Sequence, residues 1–177
     1  MIERLLELEL ARELVVFVVS MVPVVELRGA LPVAINLFGM SWHKALALSV
    51  VGNLLPVPFL LLFLDSMTGW LSQVGLSRRM MDWVFERTRK QGRIIERYER
   101  VGLMLFVAVP LPMTGAWMGS IAAFLLGLGF NRSLISIAVG VVIAGVIVTC
   151  LCLLGWLGAV IAGVGLCAAA VAGLWKV

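Results

Sequence analysis

The sequence predicts an all-α integral membrane protein, built as an inverted repeat of two re-entrant helical hairpins with about three spanning helices and a cytoplasmic amphipathic helical segment. Three observations carry this expectation. The 177 residues are 62% hydrophobic and only 14% charged, with a mean hydropathy of +1.10, whereas soluble domains carry about 25% charged residues. Two proline-bracketed motifs, PVVELRGALP from Pro23 to Pro32 and PLPMTGAWMG from Pro110 to Gly119, sit inside sequence apolar enough for a bilayer. One strongly polar stretch lies between them.

Taken in order, residues 1–22 read as a helix whose first half is amphipathic. Its charges, Glu3, Glu7, Glu9 and Glu13 against Arg4 and Arg12, are unlike the basic start of a signal peptide, so the segment is expected to be retained. Leu14–Val22 is apolar but too short to span alone. Residues 23–40 hold the first motif and close at Gly39. A stretch of that length with a break enters and leaves by one face more readily than it crosses. Ala45–Leu64 is the first span, flanked by Trp42 and His43 and closed by Asp65, with Asn53, Pro56 and Pro58 inside it predicting a kink.

From Asp65 to Arg100, eight basic residues stand against five acidic ones, a net charge of +3 that places the segment in the cytoplasm by the positive-inside rule. Apolar pairs at helical spacing (Met80 with Val84, Met81 with Phe85, Ile94 with Tyr98) make it amphipathic helix rather than linker. Arg89, Arg93 and Arg97 form a basic ridge, read either as a solvated face or as one lying on anionic headgroups. Val101–Phe130 holds the second motif, Ser133–Gly155 is a second span, and Trp156–Trp175 a third. Gly155, Ala159, Gly163 and Cys167 recur every four residues, a stripe for close helix packing within the bundle or between copies of the chain. The organisation is therefore one membrane domain over 1–177: a first half at 1–64 with its hairpin at 23–40, the linker at 65–100, a second half at 101–155 with its hairpin at 101–130, and a C-terminal helix at 156–177.

Charge placement sets the expected topology. With 65–100 inside, the first hairpin dips from the outer face and the second from the inner face, two like units in opposite orientation. Transporters are often built so, with the substrate near the midplane where the broken elements meet.

The chemistry rests on the motifs. A charge at membrane depth is disfavoured by roughly 2.5 to 3.5 kcal/mol unless paired or solvated, which singles out Glu26 and Arg28. Pro23 and Pro32 can open and interrupt short helices, and Gly29 permits close approach or an unusual dihedral. Glu26 and Arg28, two apart, diverge in a regular helix; in a bent one they converge or each faces a partner in the other hairpin. They read as a pair that only fixes the fold, or as an arginine that holds an anionic group beside a carboxyl group that carries a proton. In the second motif Pro110 and Pro112 exclude a regular helix, Thr114 can cap the half-helix that follows, Gly115 allows close packing, and Trp117 serves as lid, wall or anchor. These nine residues, Glu26, Arg28, Gly29, Pro32, Pro110, Pro112, Thr114, Gly115 and Trp117, are the candidate substrate site.

Other classes fit poorly. The single histidine, His43, falls at an interface, and GxSxG, HExxH and GxxxxGK[ST] patterns are absent, so neither catalytic residues nor cofactors nor metals are expected. Cys150 and Cys152 point to different sides of a helix and should not pair.

ELRGALP followed by PLPMTGAWMG resembles the small multidrug export protein family of prokaryotic membrane proteins, over most of the chain. The plan is also similar to the larger DedA superfamily, whose two re-entrant hairpins enclose a membrane site and whose members are implicated in moving phosphorylated polyprenyl carriers and in proton-coupled homeostasis. The resemblance implies a transporter or lipid translocase in a prokaryotic plasma membrane, acting on an anionic amphiphile. Its implied partners are membrane lipids, a proton or sodium ion as coupling ion, and a second copy of the chain, with no nucleic acid. DedA proteins carry arginines near the second hairpin, whereas Val101–Phe130 here holds no charge, so Arg28, with help from Arg132, has to supply the basic group. Efflux of cationic drugs, with Glu26 as the cation's partner, and a non-transporting structural role are the alternatives.

Overall fold

The computed structural model describes residues 2–71, 92–110, 114–155, 157, 158, 160, 161, 163 and 164. Its regular elements are all helical: α1 Ile2–Met21, α2 Glu26–Pro32 running into a π-helical turn at Val33–Leu37, α3 Trp42–Leu54, α4 Pro56–Leu71, α5 Gly92–Ala108, α6 Ala116–Leu125 and α7 Phe130–Leu153. Two helical stretches are long and apolar enough to cross a bilayer, Trp42–Ser66 with its bend at Leu55, and Phe130–Leu153. They correspond to the first two expected spans. The bend falls where Pro56 and Pro58 withhold N–H groups from the preceding turn. Most of the expected third span lies outside the described residues, as do Ala159 and Cys167 of its small-residue stripe and most of the amphipathic segment, residues 72–91.

The described chain falls into two successions of the same kind. In the first, α1 meets a break at residues 22–25, α2 follows, Gly39 at φ +63° turns the chain, and α3 and α4 form a long bent helix. In the second, α5 meets a break between Ala108 and Ala116, α6 follows, Gly127 at φ +68° turns the chain, and α7 is the long helix. Each leading helix lies along its own long helix where glycine lets the backbones close. A Cβ on Gly52 of α3 would come within 2.6 Å of the Phe17 carbonyl of α1, and one on Gly140 of α7 within 2.7 Å of the Met104 carbonyl of α5. Each short helix bridges the two units: α2 packs on α3 and α7, and α6 on α7 and α4. Leu27, Leu31, Val57, Val107, Ala116, Ile137 and Val141 fill the shared centre.

The outer surface is apolar. Leu14 and Val18 of α1, Phe59 and Phe63 of α4, Leu105 of α5, and Ile135 and Val142 of α7 are all exposed, a belt that water would not tolerate and hydrocarbon would. At one rim Arg12 lies over the Phe38 ring, 5.9 Å from its centre, Glu13 pairs with Lys44, and Trp42 meets His43 edge to face.

Three local expectations change. Pro32 does not interrupt its helix. It closes α2, and the turn that follows widens into π geometry, with Phe38 N–H donating to the Val33 carbonyl at 3.0 Å. The break belongs instead to residues 22–25, so the arm leading into it is the end of α1 rather than part of 23–40. Nor does the first span's helix close at Asp65: α4 continues through it to Leu71, and residues 92–100 of the polar segment are helical within α5, as its amphipathic spacing leads one to expect. Cys150 is exposed and Cys152 buried, both as free thiols, as their spacing requires.

Candidate functional site

The second motif breaks a helix and leaves two raw ends, and the first motif supplies a charge to each. Because α5 stops at Ala108 and Pro110 has no N–H, the last carbonyls of α5 lack intrahelical donors. Arg28 takes them up, with Nη2 donating to the Val107 carbonyl at 3.2 Å and to the Val109 carbonyl at 3.1 Å. The same nitrogen donates to Thr114 Oγ1 at 3.1 Å, and Thr114 in turn donates to the Val109 carbonyl at 2.8 Å. At the other end α6 begins at Ala116 with free N–H groups and a partial positive charge. The Glu26 carboxylate faces the N–H groups of Ala116 and Trp117, the latter at 3.5 Å from Oε1. A guanidinium at a helix C-terminus and a carboxylate at a helix N-terminus are the arrangements the macrodipole favours.

Glu26 reaches this position through its backbone. Its φ of +50° is the left-handed conformation, in which it stands alone among the described non-glycine residues, at a local cost of roughly 1–2 kcal/mol. That turn makes residues two apart converge: Arg28 Nη1 lies 3.9 Å from Glu26 Oε2, and the side chains are 17% and 5% exposed. Both alternatives open in the sequence are therefore realised together, since the pair converges and each member also reaches the other motif. Gly29 is used for close approach, because a Cβ there would overlap the Val25 side chain.

Gly115 is the tightest point. It is buried, and a Cβ on it would overlap the whole Glu26 carboxylate. Trp117 lies across the junction, its indole Nε1 donating to the Met21 carbonyl at 3.1 Å, the last residue of α1 before its break. Thus seven of the nine expected residues, Glu26, Arg28, Gly29, Pro110, Thr114, Gly115 and Trp117, belong to one junction. Pro32 stands a turn beyond it, half-buried at the start of the π turn, and Pro112 lies outside the described residues.

One expected role is corrected. Thr114 does not cap α6: the capping position is Gly115, without a side-chain bond of its own, because the Thr114 hydroxyl is committed to Arg28 and Val109. The cap comes from Glu26, 90 residues earlier in the fold's other unit. Arg132 is exposed in the first turn of α7. The carbonyls of Val107, Val109 and Met21 are the participants that residue identity did not reveal; the signal for the first two was Pro110, which marks where a helix must stop.

Neither a curated protein nor a solved structure matches the chain. A family model described as "Putative small multi-drug export protein" matches residues 26–147, from Glu26 through both motifs and well into α7. The chain belongs to that family of membrane proteins.

Proposed function

We propose that the chain is a secondary transporter or lipid translocase of DedA-like type, moving an anionic amphiphile through a site between two re-entrant hairpins. The observation that carries this reading is the junction itself, where Arg28 and the N-terminus of α6 lie on either side of the Glu26 carboxylate. Helix N-termini and arginines are general binders of phosphate and carboxylate. An anionic headgroup competes with Glu26 for the same donors, and a displaced Glu26 takes up a proton, which is a natural means of coupling. Val22, Val24 and Val25 lead into Glu26 and are exposed, Val24 at 91%, as a lip for an apolar tail.

Depth favours the re-entrant reading. Between Glu13, paired at the rim, and the break at residue 22, α1 advances roughly 13 Å at 1.5 Å per residue, under half of an approximately 30 Å hydrocarbon core. The chain then returns through residues 26–37 to the rim at Gly39. The family's description speaks for export in general, and the chemistry of the junction speaks for an anion.

Reconstitution into proteoliposomes with a short-chain polyprenyl phosphate tests this. Arg28→Lys and Glu26→Gln, chosen to keep shape and fold, are expected to lower flux at least about tenfold, equivalent to ~1.4 kcal/mol, with unfolding midpoints near that of the parent. Full flux in both variants overturns the assignment. Flux of a lipophilic cation that depends on Glu26 but not on Arg28 selects drug efflux instead.

A further inference from the structure

Ser49 and Asn53 lie one turn apart on α3 and both are wholly buried. Neither the Ser49 hydroxyl nor either polar atom of the Asn53 amide has a hydrogen-bond partner. Buried polar groups in native proteins are almost always satisfied, and an exception calls for a ligand or a reason. On the same buried face Gly52 is pressed by α1, so closely that a Cβ there would overlap the Ser20 hydroxyl and approach the Phe17 carbonyl. Ser20 is itself wholly buried. Just beyond, the helix bends, and since Pro56 and Pro58 have no N–H the carbonyls of Gly52 and Leu54 lose their i+4 donors.

Ser49, Asn53 and Ser20 thus bring hydroxyl and amide oxygens, all neutral and hard, to the place where α1 packs on α3, with the Phe17 carbonyl close to Gly52. We propose that it is a binding site for an alkali cation, sodium above all. Hard oxygen ligands suit hard cations, and calcium or magnesium sites draw on carboxylates that this face does not have. A kinked helix that releases its carbonyls inside a membrane bundle is a common source of monovalent cation ligands. With Asn53 Oδ1 turned to the ion, the amide N–H groups can donate back to the Ser49 carbonyl one turn earlier. The site needs nothing from the Arg28 junction and stands whether or not that junction moves an anionic lipid.

The test is thermal unfolding of the purified full chain in lipid nanodiscs, with sodium chloride replacing choline chloride at constant ionic strength. A ligand that binds only the folded chain raises the midpoint with its concentration, so the parent is expected to rise saturably in sodium, with a smaller rise in potassium. Ser49→Ala, which removes one ligand, is expected to raise the half-effective sodium concentration at least about tenfold. In sodium-free buffer it should be at least as stable as the parent, since it also removes an unsatisfied hydroxyl. Asn53→Leu should abolish the response, and Arg28→Lys should keep it. A parent whose midpoint is unmoved by sodium, potassium and lithium overturns the proposal, as does an undiminished response in Ser49→Ala.

Discussion

At the scale of single residues, the contact between Glu26 and Gly115 decides whether the two motifs can close on each other. Glycine is required at 115 for space alone, since its φ of −80° is open to any residue. Overpacking a tight site costs about 1–3 kcal/mol, so Gly115→Ala is expected to destabilise the chain by that amount in detergent-based unfolding. In a Glu26→Ala background the obstructing carboxylate is gone, and the same substitution should cost less than about 0.5 kcal/mol. A double-mutant cycle measures the difference directly; additive effects would show that 26 and 115 do not touch. The sequence made Arg28 and Glu26 legible because a charge in apolar sequence needs a partner. It left the partners themselves hidden, for Arg28 binds the carbonyls of Val107 and Val109 and Glu26 binds the N–H groups that open α6. A helix end carries charge without any charged residue, so a stretch from Val101 to Phe130 without ionisable side chains can still answer both ions. Thr114 follows the same logic: adjacency in sequence suggests a local cap, while the cap comes from Glu26 in the other unit.

At the scale of elements, some breaks and turns were legible from backbone chemistry. Pro56 and Pro58 bend the long helix as their missing donors require, and Gly39 ends the first short helix in a conformation that costs other residues roughly 1–2 kcal/mol, as does Gly127, which the sequence did not single out, after the second. That α4 runs past Asp65 was not legible, because charge density marks where lipid ends and not where a helix ends; hydrogen bonding continues through Asp65 to Leu71. Pro32, at the end of α2, does not interrupt the chain's helical course because the one widened π turn that follows absorbs it. Two glycines separate conformation from packing. Gly127 is held at φ +68°, whereas Gly102 lies exposed within α5 with open space around it and an ordinary helical φ. Gly102→Ala is therefore expected to stabilise the chain by about 0.5–1 kcal/mol through helix propensity. Gly127→Ala, at φ +68°, should destabilise by about 1 kcal/mol or more. Opposite signs in the unfolding midpoints are the measurement; equal signs would mean that the turn after α6 is not held as described.

At the scale of the whole molecule, the two units share their order of elements, their glycine contacts between leading and long helix, and the bridging of each short helix to the other unit's long helix. A two-fold relation carries α2 on α7 into α6 on α4, and in keeping with the transporter reading we propose that its axis lies in the membrane plane, which makes the two units antiparallel. It also sets the charged motif of one unit against the broken helix of the other, so that neither unit completes the junction alone. The consequence is a difference of sides. The turn before α3 and the turn before α7 are equivalent in the two units, and the proposed inversion would put them on opposite faces; with the basic segment 65–100 inside, Ser41 would lie outside and Gly129 inside. With Cys150, Cys152 and Cys167 replaced by alanine, Ser41→Cys and Gly129→Cys can be labelled in sealed right-side-out vesicles by a membrane-impermeant maleimide. Labelling of Ser41→Cys in intact vesicles, and of Gly129→Cys only after permeabilisation, is the expected result. Labelling of both from one side would make the units parallel, and a substrate path entered alternately through two opposed hairpins would have to be abandoned.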